Sequence, residues 1–130
     1  MVLDSSAVLA ILQLESEAEQ FAQAIAAAPT RLLSAGTYLE LGILVEARRG
    51  AAGVSTLQEF LLRARVEIVA FDAEQAEIAC DAFRRYGRGR HAAGLNFGDC
   101  FAYALAKDKS EPLLFKGDDF SKTDVAVAVR

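Results

Sequence analysis

"VEIVAFDAEQAEIACDAFRRYG", residues 66 to 87, reads as a strand running straight into a helix. The first six residues carry the β-branched and aromatic side chains that favour a pleated strand, and the remainder alternates apolar and charged residues at helical spacing. Of all segments in the chain, these give the clearest strand and the clearest helix.

Upstream, the same unit recurs. "VSTLQEFLLRAR" (54–65) and "TYLELGILVEARRG" (37–50) form a helical hairpin, the second with a threonine cap at Thr37 and a terminal glycine. "RLLS" (31–34) is a short strand. "SEAEQFAQAIAAA" (16–28) is a helix with Phe21, Ile25 and Ala28 on one face, closed by Pro29. At the start, "MVLD" is a strand ending in an acid, and "SSAVLAILQLE" is the helix after it, so Asp4 stands at a strand's carboxyl end.

Downstream, "GRGRHAAG" is loop by its glycines. A helix containing Asp99 follows, then the short buried strand "PLLF", the polar turn "KGDDFSKTD" and a final strand "VAVAV". Strands alternating with helices predict a parallel sheet covered on both faces, the α/β class, with ligands beyond the carboxyl ends of the strands.

Composition bounds the rest. At 130 residues and 53% apolar the chain makes one domain, 1–130, able to bury its own core, and its 25 alanines favour helix over strand. The net charge of −4 gives no general attraction to nucleic acid, so such a partner needs a local basic patch. "MVLD" lacks a basic leader and no apolar run approaches a membrane span, which predicts a soluble cytoplasmic protein with Cys80 and Cys100 reduced. With no CxxC and one histidine, metal ligation by the thiols is not expected.

Three acids sit poorly with their surroundings. Asp4 serves as a helix cap, helped by Ser5 and Ser6, or as a ligand. On a helical wheel at ~100° per residue, Ile43, Leu44 and Ala47 fall within about 60° of Glu40, centring that carboxylate on an apolar face; the alternative is a snorkelling chain or an arginine pair. Asp99 lies among Leu95, Phe97, Phe101 and Leu105, where "NFGD" also resembles a capping box with Asn96 as cap. A fourth group, Asp118, Asp119 and Asp124, occupies the turn after the last buried strand, with Phe120 folding it back onto the body. If these acids meet at one sheet edge, their repulsion calls for a hard divalent cation, and oxygen-only ligands suit Mg²⁺ or Mn²⁺.

"MVLDSSA", "TYLELGILVEAR", "GRGRHAAGLNFGDCFAYALAK" and "LLFKGDDFSKTD" together resemble the PIN-domain family and, within it, the VapC ribonuclease toxins of bacterial toxin–antitoxin modules. The resemblance runs from residue 1 to about residue 125, in order and at the expected spacings. It implies a Rossmann-like three-layer sandwich and an acidic pocket holding Mg²⁺ or Mn²⁺ for hydrolysing RNA, with Asp4, Glu40 and Asp99 as the invariant acids. Many members carry an acid where this chain has Gly117, so the fourth position passes to Asp119, with Asp118 second. The resemblance further implies a homodimer in a larger toxin–antitoxin assembly, with a VapB-like antitoxin segment near the active site.

Two cations about 3.5 to 4 Å apart can activate a nucleophile and neutralise the leaving oxygen. On this expectation Asp4 and Asp99 hold metal, while Glu40 and Asp119 complete the shell or orient the water. The rival chemistry through the RNA 2′-hydroxyl commonly needs paired histidines, and only His91 is present. For RNA, Arg85, Arg88, Arg90 and His91 supply local positive charge; Arg84 and Arg85 also suit a helix end, leaving the loop arginines as the better phosphate contacts. Tyr86 either stacks on a base or packs in the core. Tyr103, one turn after Asp99, either lines the pocket or packs. Ser6 supports Asp4 or caps, and Lys116 contacts phosphate or is a solvated turn residue. Two competing readings are a phosphoacceptor receiver-like domain, using Asp72 and Lys116, and a catalytically inactive PIN-like binding module.

Overall fold

The computed structural model describes residues 1–129. Four short strands, β1 (Val2–Leu3), β2 (Leu32–Ser34), β3 (Glu67–Val69) and β4 (Leu113–Leu114), form one sheet in the order β3-β2-β1-β4. Every pairing is parallel: Val2 lies opposite Leu32 on one side and Leu113 on the other, and Leu33 lies opposite Ile68. The chain steps outward from β1 to β3 and then returns across the sheet to β4. Connections therefore diverge between β1 and β4, the place where parallel sheets open a crevice for ligands.

Among the described residues five α-helices cover the sheet: α1 (Ser5–Leu12), α2 (Ala18–Ala27), α3 (Ala35–Arg63), α4 (Ala73–Tyr86) and α5 (Phe97–Lys109). Alternation along the strands divides the core in two. Leu3, Leu33 and Leu114 pack with Val8 of α1, Phe21 and Ile25 of α2, and Leu41, Val45 and Leu57 of α3. Val2 and Leu113 face the other way, onto Ala82 of α4 and Ala102 and Leu105 of α5. These are the three layers of an α/β sandwich, as the sequence predicts.

Three local expectations need correction. Ser34, not Thr37, caps α3: its hydroxyl accepts from Gly36 N at 3.2 Å, while Thr37 is fully buried one turn inside. The predicted hairpin is present: two helical arms meet at Gly50, which alone leaves helical geometry at φ 61° and ψ −148°, and the chain folds back so closely that a Cβ on Gly53 would stand 2.6 Å from Val45 O. "VEIVAF" supplies only Glu67–Val69 at the sheet edge, with Ile68 44% exposed. "VAVAV" makes no strand, only an isolated bridge from Val127 to Leu113. Among the described residues no helix is long and apolar enough to cross a membrane.

Candidate active site

Asp4 leaves the end of β1 and caps α1. Its Oδ2 accepts from Ser6 N at 3.0 Å and from Ser6 Oγ at 2.6 Å. Its Oδ1 is buried with no hydrogen-bond partner, although the residue is only 3% exposed. Capping thus accounts for one oxygen and leaves the other without a structural role. Burial pushes this carboxyl up to about 7, against the Ser6 hydrogen bonds, and the charges of Asp99 and Glu40 push in the same direction as burial. An unpaired carboxylate oxygen in so dry a place is a standing cost to the fold.

Glu40 reaches the same place from α3. Its Oε1 is also buried without a partner. The wheel that put it on a buried apolar face does not hold: Ile43 is 59% exposed, Ala47 is exposed, and the buried stripe of α3 is Thr37, Leu41 and Val45. What encloses Glu40 is the first turn of α5. A Cβ on Gly98 would overlap Glu40 Oε2, so the glycine makes room for the carboxylate. Gly36 does the same for the helix pair, because a Cβ there would stand 2.5 Å from Phe101 Cε1.

Asp99 completes a capping box at the start of α5. Asn96 Oδ1 accepts from Asp99 N at 2.9 Å, and Asp99 Oδ2 accepts from Asn96 N at 3.0 Å. Burial raises its carboxyl, the Asn96 bond opposes this, Asp119 and Glu40 raise it further, and Arg88 lowers it. The Asp119 carboxylate thus lies near enough to raise Asp99. Asp118 and Asp119 are both exposed, and the Asp118 backbone carbonyl accepts from Ser121 Oγ at 2.5 Å.

Ser6 joins the ends of β1 and β4. Its hydroxyl donates to Asp4 and accepts from Lys116 N at 3.0 Å, just beyond β4. Of the two expectations for Ser6, the hydroxyl supports Asp4; the cap of α1 is Asp4 itself, which accepts from the Ser6 amide. Lys116 sends its ammonium to Glu15 at 3.2 Å and Glu17 at 3.4 Å, the solvated-turn alternative.

Among the described residues the acids do not close into a ready cage of three or more ligands. They fit a hard cation nonetheless: the donors are all oxygens, and two of them, Asp4 Oδ1 and Glu40 Oε1, are buried and otherwise unused. An open carboxylate set suits Mg²⁺ or Mn²⁺, which keep several waters and share substrate oxygens.

The basic residues separate by partner. Arg88 and Arg90 are exposed on the loop, and Arg88 lies near enough to lower Asp99. Arg85 is engaged by Asp81 at 3.4 Å, Tyr103 Oη at 3.0 Å and Asp124 at 3.3 Å. His91 Nδ1 accepts from Ala93 N at 3.0 Å, and its ring packs edge-on to Tyr86, 5.1 Å between centroids. Tyr103 is 2% exposed and donates to Asp124 Oδ1 at 2.5 Å, so its hydroxyl is committed to that acid. Asp72, three residues beyond the edge strand β3, caps α4 by accepting from Gln75 N at 2.9 Å, which is an ordinary cap. Sequence reasoning missed Gly98 and the role of Asp124; the smallest residue between Phe97 and Asp99 was the available signal for the first.

Comparison with known proteins agrees over the whole chain. A family model described as PIN domain matches residues 1–126. "Ribonuclease VapC" of Mycolicibacterium smegmatis is 54% identical over 126 residues, covering 97% of this chain and 98% of that protein. Among solved structures, Mycobacterium tuberculosis VapC20, a sarcin–ricin loop cleaving toxin, superposes with a TM-score of 0.76 at 19% identity, over 99% of this chain and 98% of that one. A toxin–antitoxin complex from Klebsiella pneumoniae gives 0.73 at 17% identity, over 97% and 94%.

Proposed function

This chain belongs to the PIN-domain family, among the VapC ribonucleases, and on that premise we propose that it is an endoribonuclease toxin whose hydrolysis of RNA depends on Mg²⁺ or Mn²⁺. The observation that carries the reading is the pair of buried, unpartnered carboxylate oxygens of Asp4 and Glu40 beside Asp99 at the carboxyl end of β1. In a chain built for stability alone, two such oxygens would be paired or absent.

The chemistry a bound Mg²⁺ or Mn²⁺ supplies there is charge neutralisation at the phosphate and a nucleophilic water at neutral pH. Asp4, through its free oxygen, and Asp99 hold the cation. Glu40 and Asp119 complete the donor set or orient the attacking water. Ser6 keeps Asp4 in one rotamer by donating to its other oxygen. Arg88 meets the substrate phosphate from the loop, and Arg90 extends the same positive edge. Products carry 5′-phosphate and 3′-hydroxyl ends.

A cognate VapB-like antitoxin and a homodimer belong to the same proposal. The Klebsiella likeness is to a toxin held in such a complex, and an antitoxin arginine entering the acids would neutralise them as a cation does. Leu39, Ile43 and Phe97, which are 64%, 59% and 80% exposed, offer apolar surface around Glu40 and Asp99 for contact with other chains.

The test is cleavage of single-stranded RNA by purified, partner-free protein, with the new ends identified. Activity with Mg²⁺ or Mn²⁺, its loss in chelator and on Asp99→Asn, and 5′-phosphate ends are expected. Undiminished cleavage in chelator, or 2′,3′-cyclic phosphate products, would overturn the mechanism.

A further inference from the structure

The turn that carries Asp119 is held at two points. At its start, Lys116 N donates to Ser6 Oγ at 3.0 Å, which ties the turn to Asp4. Gly117, at φ 101°, then swings the chain outward. Within the turn the backbone is internally bonded. Lys122 N donates to Asp119 O at 3.3 Å, Thr123 N to Phe120 O at 3.0 Å, and Thr123 Oγ1 to Phe120 O at 2.7 Å. Phe120 is 3% exposed and packs on Phe115, 5.2 Å between ring centroids.

The second point is Asp124. Both of its oxygens are engaged by side chains of two different helices. Tyr103 of α5 donates to Oδ1 at 2.5 Å, and Lys107 of α5 and Arg85 of α4 reach Oδ2 at 3.2 and 3.3 Å. Arg85 also donates to Tyr103 Oη at 3.0 Å, closing the network, and Asp81 of α4 holds Arg85 at 3.4 Å. Tyr103 is four residues after Asp99 on the same helix, so the clamp and the acid sit one turn apart on one rigid element.

We propose that Asp124 is a positioning residue, fastening the turn that carries Asp119 to α5, the helix whose first turn carries Asp99, through Tyr103 and Arg85. The inference deepens the reading of the acids as a cation site and rests on it for function. This chain has Gly117 at the start of the turn, where no side chain can contribute a carboxylate, so the fourth acid comes from further along a mobile kind of structure. A salt-bridged tyrosine clamp just beyond is what fixes it. An exposed ion pair alone would do little for stability; a buried hydroxyl bonded to a carboxylate fixes geometry.

The test uses the whole chain and two readouts. Hydrogen exchange of amides 117–122 is expected to quicken in Asp124→Ala and in Tyr103→Phe, with α5 amides unchanged. Mn²⁺ affinity, measured from free Mn²⁺ by electron paramagnetic resonance, is expected to fall about tenfold in both, as for other residues that orient ligands. Combining Asp124→Ala with Asp119→Asn should cost no more affinity than Asp119→Asn alone. Unchanged exchange, wild-type Mn²⁺ affinity in the clamp variants, or additive losses would each overturn the proposal. Failure of the wild-type protein to bind Mn²⁺ would instead count against the cation reading itself, while the exchange data still judge the clamp.

Discussion

Replacing Asp4 by Asn separates the charge needed for cation binding from the cost of burying it. The carboxyl is pushed up to about 7 from an ordinary 3.8, chiefly by burial. Below pH 3.8 the folded and unfolded chains both hold the proton, and ionisation costs nothing. As pH rises, the unfolded chain releases its proton first, so stability falls; above about 7 both are ionised and the loss is complete. At about 1.4 kcal/mol per pH unit the full cost is about 4 kcal/mol, and water admitted to the site reduces it to roughly 2 to 4. Asn retains an acceptor for Ser6 and carries no charge. In chelator near pH 8 the Asp4→Asn protein should therefore melt several degrees above wild type, at roughly 4 °C per kcal/mol. The gap should close by about pH 4. Added Mg²⁺ should raise the melting temperature of wild type and leave the variant unmoved. Calorimetry across this pH range decides the matter: parallel curves for the two proteins, or a variant less stable at every pH, would refute the picture of Asp4 as a buried charge awaiting a cation.

Gly98→Ala should be neutral or stabilising by up to about 1 kcal/mol through helix propensity, yet lower kcat at least tenfold by evicting Glu40; urea unfolding and steady-state cleavage together check it. Arg88→Ala and Arg90→Ala should each raise KM and reduce the slope of log affinity against log salt by about 1, with the melting temperature unchanged. Gly50→Ala should destabilise by roughly 1 to 3 kcal/mol in urea titrations, because φ 61° with ψ −148° is strained for any side chain, while kcat stays at the wild-type value.

The fold was legible where hydrophobic pattern and local punctuation agree. Val2, Leu3, Leu113 and Leu114 are short apolar runs that become fully buried parallel strands, and Asn96 to Asp99 is a capping box whose both hydrogen bonds are present. It was least legible where tertiary context decides. "VEIVAF" has the strongest strand composition, yet only Glu67–Val69 pairs, with a neighbour on one side only at the edge of the sheet. "VAVAV" alternates well but meets β4 at a single bridge. Thr37 looked like a cap because Ser34 was assigned to the strand before it, and one residue can end a strand and cap a helix together.

Glu40 shows why the site was easier to name than to derive. The wheel placed it on a buried face that is in truth exposed at Ile43 and Ala47, so periodicity singled out Glu40 on grounds the structure does not support. Its enclosure comes from Gly98, fifty-eight positions away in the chain and visible only once α5 lies beside α3. The same separation applies to function. Asp4 and Asp99 each perform an ordinary capping task with one oxygen, which is why sequence alone could not choose between cap and ligand. At Asp4 the choice is false: Ser6 takes Oδ2, fixing the rotamer, and Oδ1 is left free by that fixing. Capping is what aims the unused oxygen, so local helix chemistry and the chemistry of the site depend on the same bond. An Asp4 without Ser6 would still cap α1 through the backbone amide, but it would lose the hydroxyl that also binds Lys116 N and joins β1 to β4. Ser6→Ala should accordingly leave α1 formed and weaken Mn²⁺ binding about tenfold; a titration showing wild-type affinity would mean that Asp4 is aimed by the fold around it and not by its neighbour.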